Sequence, residues 1–191
     1  YPSPKGNFII YFNRENGNWY SYNIAEKTTE HLNKNLKNSF VDEEFDMPDL
    51  PRSYGLATFT DNEESVIIKD RYDLWEFFLK KKQTPNNITK NIGRSQKIKF
   101  ETYDFDPEIK SINRKKTTYL SAFDTTTKQS GVYKLLINAN KNPERVVMLD
   151  KFGFKSAVKA KNTEDYILTL ESNLKSPNVF ATQDFKSITK L

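Results

Sequence analysis

Cysteine is absent from the 191 residues, which excludes disulfides, thiol catalysis and cysteine-ligated metals. Histidine occurs once, so a Ser-His-Asp centre would have to use His31. That residue sits in the polar stretch Thr28-Thr29-Glu30-His31-Leu32-Asn33, which reads as a strand end or turn holding an ordinary surface or half-buried imidazole. No Gly-x-Ser-x-Gly elbow occurs. No apolar run approaches the ~20 residues a membrane helix needs. The start, Tyr1-Pro2-Ser3-Pro4-Lys5, reads neither as a signal peptide nor as a native N-terminus. Glycine is scarce, at six residues. Gly93-Arg94-Ser95 is too short for a phosphate loop, and Phe152-Gly153-Phe154 reads as a bulge or a closely packed strand. The net charge of +5 is spread along the chain, so no nucleic-acid footprint is expected.

Aromatic residues are what the chain has in quantity: 14 Phe, 10 Tyr and 2 Trp in an otherwise polar sequence. Leu, Ile, Val and Phe make up about a quarter of it, above the ~20% below which chains stay disordered. Such a chain buries its apolar surface in narrow stripes, which suits strands better than long helices. No sustained 3.6-residue stripe is present, although residues 23–36 have room for a short helical turn.

One unit recurs: a short apolar strand, a polar turn, a second strand and a polar exit. The copies centre on 8–23, 66–79, 118–137 and 165–182. The first turns at Asn16-Gly17-Asn18, a strong hairpin signal because Asn and Gly both tolerate positive φ. The second turns at Asp70-Arg71-Tyr72-Asp73, the third through Lys128-Gln129-Ser130-Gly131 and the fourth around Ser176-Pro177. Further strand candidates lie between them: Gly55–Phe59, Lys97–Phe100 and Ser156–Ala160. Four strands per ~40–50 residues is the pattern of β-propeller blades. The expectation is therefore an all-β chain, a partial β-propeller of about four antiparallel four-stranded blades forming one domain over 1–191. An all-β sandwich is the competing architecture.

Tyr54-Gly55-Leu56-Ala57-Thr58-Phe59-Thr60-Asp61-Asn62, followed by Asp70-Arg71-Tyr72-Asp73-Leu74-Trp75, carries a resemblance. So do Asn87–Arg94, Leu120–Asp124 and Val158–Asn162. Together they resemble the propeller portion of prolyl oligopeptidase-family serine peptidases, particularly long bacterial members, over about Gly6 to Thr189. The resemblance implies a parent with an α/β-hydrolase domain, absent from this chain, that carries the Ser-His-Asp triad. The propeller would gate peptide substrates and dock on that domain, and a periplasmic or secreted setting is implied. No triad residue matches here, so the chain is expected to be non-catalytic. A stand-alone propeller-type protein-binding module is the alternative, and self-association through an exposed blade edge is expected of a fragment.

No catalytic, cofactor or metal residues are assigned. The one candidate contact for peptide is the turn Asp70, Arg71, Tyr72 and Asp73, with Arg71 pairing a carboxylate. The bland reading of the same turn has the aspartates accepting backbone N–H bonds and Arg71 pairing locally. Trp75 is expected in the core. Asp42-Glu43-Glu44-Phe45-Asp46, with Asp49 beyond, lacks the glycine of a calcium loop and reads as a solvated connector. Lys80-Lys81-Lys82, Lys97 with Lys99, and Arg114-Lys115-Lys116 sit at turns and strand borders, where basic residues block edge pairing rather than bind nucleic acid.

Overall fold

A computed structural model describes residues 1–103, 105, 111–150, 152–172 and 174–191. The described chain is dominated by strands arranged in four sheets. Sheet 1 is the meander of β1 (Phe8–Asn13), β2 (Asn18–Asn23) and β3 (Thr28–His31). Sheet 2 runs through β4 (Leu56–Thr60), β5 (Ser65–Lys69), β6 (Leu74–Phe78) and β7 (Asn86–Asn87). One helical turn, α1 (Ile92–Gln96), leads into β8 (Ile98–Thr102). After β9 (Ser111–Ile112), sheet 3 is completed by β10 (Thr118–Asp124), β11 (Ser130–Leu135) and β12 (Glu144–Leu149). Sheet 4 is the meander of β13 (Gly153–Lys159), β14 (Tyr166–Ser172), β15 (Lys175–Thr182) and β16 (Thr189–Lys190).

Sheets 3 and 4 have the four antiparallel strands expected. Sheet 1 has three, and sheet 2 has five because β9 adds in parallel to the free edge of β4, pairing Ser111 with Phe59 and Ile112 with Thr60.

The sheets pack face to face in chain order, and side-chain alternation explains how. In β1, Phe8 and Ile10 are buried while Ile9 and Tyr11 are exposed, so only one face of sheet 1 is covered. Trp19 joins that face and packs with Val66, Ile68, Trp75 and Phe77 of sheet 2. The opposite face of sheet 2 presents Ile67 and Leu74 to Phe100, Leu120, Tyr133 and Leu135 of sheet 3. Sheet 3 in turn offers Val132 and Tyr119 to Tyr166, Leu168 and Leu170 of sheet 4. Covered on both faces, β5 and β6 read as continuous apolar runs, with Val66, Ile67, Ile68, Leu74, Trp75 and Phe77 all buried. Each such side chain contributes about 1.5–3 kcal/mol on burial. Trp75 lies in the core as expected.

The two outermost faces of the stack stay apolar and open. Sheet 1 exposes Ile9 and Tyr11, registered opposite Tyr22 and Tyr20. Sheet 4 exposes Val158 and Ile167, which are register partners, together with Val179.

Two local expectations are corrected. Residues 23–36 form no helix, only hydrogen-bonded turns on either side of a strand: Thr28–His31 pairs with β2, because β-branched threonines favour extended backbone and Tyr20 offers its ring to His31. The fourth hairpin does not turn at Ser176-Pro177, since both lie within β15. Its register shifts between Leu170 and Ser172, the kind of irregularity that tolerates a proline lacking an N–H. The Asn-Gly hairpin does form, with Gly17 at φ +68°, where an added Cβ would sit 2.8 Å from Val41 Cγ2.

Candidate functional site

The turn between β5 and β6 is held by its own aspartates. Asp70, fully buried, accepts the backbone N–H groups of Tyr72 at 2.8 Å and Asp73 at 2.7 Å, the Trp75 indole N–H at 3.0 Å and the Asn38 amide at 3.2 Å. Asp73, also buried, accepts the Thr89 hydroxyl at 2.6 Å and the amides of Gly93 and Arg94, both at 3.0 Å. Burial pushes the Asp73 carboxyl above the ordinary carboxylate range, while the Thr89 hydroxyl and the two amides pull it back. The amides of Gly93 and Arg94 thus already hold a carboxylate belonging to the chain, while that of Ser95 donates to the Asn91 carbonyl. Gly93 is required by close approach: an added Cβ would lie 2.5 Å from the Tyr72 carbonyl oxygen and 2.8 Å from both Asp73 Oδ1 and the Ile98 carbonyl oxygen.

Arg71 is the partly exposed residue of this turn, whereas Tyr72 is buried. The Arg71 guanidinium bonds Glu43 at 3.2 Å and Glu44 at 2.6 Å, and the Glu43 carboxylate holds its pKa above the ordinary arginine value. Arg94 reaches Glu43 at 3.4 Å, and both guanidinium groups lie over the Tyr72 ring, at 5.2 and 5.4 Å from its centroid. Lys99 completes the cluster on Glu44 at 3.3 Å. The backbone N–H of Glu43 donates to the Tyr54 hydroxyl at 2.7 Å, and burial pushes that phenol up to about 12. The acidic connector is therefore the counter-charge of the basic residues around the turn. Among the described residues, no group of three or more His, Asp or Glu side chains gathers as a metal ion would need.

In the remaining basic clusters, Lys80 and Arg114 have local partners. Lys80 donates to the Asn62 carbonyl. Arg114 pairs with the fully buried Glu76 at 2.7 Å, and Glu76 accepts the Ser65 hydroxyl at 2.7 Å. His31 stacks on Tyr20 with centroids 4.8 Å apart, and its Nε2 is buried without a hydrogen-bond partner. No helix of the described chain is long and apolar enough to cross a membrane.

A second feature has no counterpart in the sequence reading. A half-open cleft of about 650 Å³ is lined by β4, the ends of β8 and β13, β9 and the segment from Asn113 to Tyr119. Its walls are apolar and aromatic at Ala57, Tyr103, Ile112 and Tyr119, and its cations are Lys116, Lys159 and Lys161. Asp61, the one acid among its described lining residues, accepts the Ser111 hydroxyl at 3.0 Å. Lys159 is bound to Glu164 at 3.1 Å and to the Thr163 carbonyl at 2.6 Å, whereas Lys116 and Lys161 carry no ion pair among the described residues. Burial pushes the Tyr103 phenol up to about 12. These residues lie on three different sheets and the connector between two of them, so no local motif announces them. A size of ~300–1,000 Å³ with apolar walls and a few polar groups is the usual form of a small-ligand site. Compared with known protein families and with curated proteins, the chain has no match.

Proposed function

We propose that the chain is the non-catalytic propeller portion of a prolyl oligopeptidase-like serine peptidase, gating peptide access and docking on an α/β-hydrolase domain. The observation that supports this reading is the repetition of one packing mode. Successive antiparallel meanders stack face to face in chain order, and the first strands of sheets 2, 3 and 4 all border one cleft. The two uncovered faces, at Ile9 and Tyr11 and at Val158, Ile167 and Val179, suit further sheets of the same kind. The peptidase context comes from the resemblance alone. Within it, the Asp70–Asp73 turn would present Arg71 to peptide, with a substrate carboxylate displacing Glu43 or Glu44 and Tyr72 buried beneath the guanidinium group.

A second reading, a stand-alone propeller-type protein-binding module, is favoured by the cleft, which needs no hydrolase domain to be useful. The complete natural reading frame separates the two. On the first reading it encodes, beyond the propeller, a strand–Gly-x-Ser-x-Gly–helix segment followed by Asp and then His. A frame without that segment removes the peptidase reading and leaves the binding module.

A further inference from the structure

We propose that the cleft between sheets 2, 3 and 4 binds an extended acidic peptide segment, its carboxylates held by Lys116 and Lys161. The inference goes beyond the peptidase reading and holds whether or not a hydrolase domain accompanies the chain. It rests on the strand edges that border the cleft. Among the described residues β8 and β13 are each the outermost strand of their sheet, and both end at the cleft, at Thr102 and Lys159; on the outer edge of β8 the Phe100 N–H is taken by the Tyr72 carbonyl at 2.9 Å, so that edge is open only at its Thr102 end. The corresponding edge of β4 is not free: β9 pairs with it in parallel through Ser111 and Ile112. The fold thus already accepts a short extended segment on one of these three edges, and the cleft opens beside the terminal residues of the other two, Thr102 and Lys159. Strand addition to an open edge supplies main-chain hydrogen bonds, while alternate side chains of the added segment enter flanking pockets.

Charge selects the occupant. Lys159 is engaged by Glu164, but Lys116 and Lys161 are exposed cations at the rim. The only acid on the described lining, Asp61, is taken by Ser111. A carboxylate entering here meets two ammonium groups that carry no ion pair among the described residues, and a neighbouring apolar side chain meets Ile112 and Tyr119. A free small dicarboxylate would satisfy the lysines but not the strand edges, so the two sources of carboxylate are separable.

The test is fluorescence anisotropy on the full 191-residue chain with a labelled hexapeptide alternating glutamate and valine. Binding is expected, weakened about tenfold or more by Lys116→Gln and by Lys161→Gln. Lys34→Gln, an exposed change on sheet 1's connector, should leave affinity unaltered, and the dichroism of all three variants should match the parent. The same peptide with glutamine for glutamate should bind at least tenfold more weakly, and glutarate should compete poorly. The proposal is overturned by absence of binding, by equal affinity for the glutamine peptide, by indifference to both lysine changes, or by glutarate competing as well as unlabelled peptide.

Discussion

Replacing Asp70 by alanine is expected to lower stability by about 3 kcal/mol. For a chain of this length that corresponds to a fall of roughly 6–12 °C in Tm. The Asp70 carboxylate is buried and receives four hydrogen bonds, from two backbone amides, the Trp75 indole and the Asn38 amide. Alanine leaves those donors without a partner where water cannot readily replace it, and Arg94, 3.6 Å away, loses its buried counter-charge. Arg71→Ala provides the contrast. Its partners Glu43 and Glu44 are partly exposed, and surface ion pairs are worth about 0–1 kcal/mol, so its Tm should move by only a few degrees. Thermal unfolding followed by circular dichroism distinguishes the two. If Asp70→Ala were as mild as Arg71→Ala, the carboxylate would not be what organises the turn.

Gly93→Ala is expected to cost about 3 kcal/mol, at the upper end of ordinary overpacking. Two of the three atoms its Cβ would strike are carbonyl oxygens, of Tyr72 and Ile98, which cannot swing aside as a side chain can. The third is the Asp73 oxygen that accepts the Gly93 amide, so relieving the clash pulls the helical turn off its anion. Gly153→Ala is the control: nothing lies closer than 4.0 Å to the added atom, and the change should stay within about 0.5 kcal/mol. Urea midpoints measure both. Asp73→Ala and Gly93→Ala act on one network, so their joint effect should depart from the sum of the two.

The strands were legible wherever one hydrophobic period ran uninterrupted. Val66–Lys69 and Leu74–Leu79 announced β5 and β6 because both faces of sheet 2 are covered, and Thr118–Phe123 announced β10 by alternation. The hidden elements are those whose formation depends on distant partners. β3 is a polar strand made by pairing with β2, and β9 is two residues long and exists through the edge of β4. Pro177 misled because proline usually marks a turn, whereas here it lies beside a register shift. At the turn, the sequence offered two roles for Asp70 and Asp73, and only the packing of Asn38, Trp75, Thr89 and α1 around them reveals how fully both carboxylates are engaged. The cleft could not be read locally, since Lys116, Lys161 and Ile112 converge through the stacking of sheets and not through spacing.

The central proposal, that this stack of antiparallel sheets serves a serine centre located elsewhere in its protein, is tested most directly with a fluorophosphonate probe. The probe is applied to the full natural protein and to the 191-residue chain, and the modified serine is located by peptide mass mapping. The account predicts stoichiometric labelling of one serine outside residues 1–191 and none of the isolated chain, whose single imidazole stacks on Tyr20. Labelling of a serine within the 191 residues, or a full protein that takes up no probe, would contradict it.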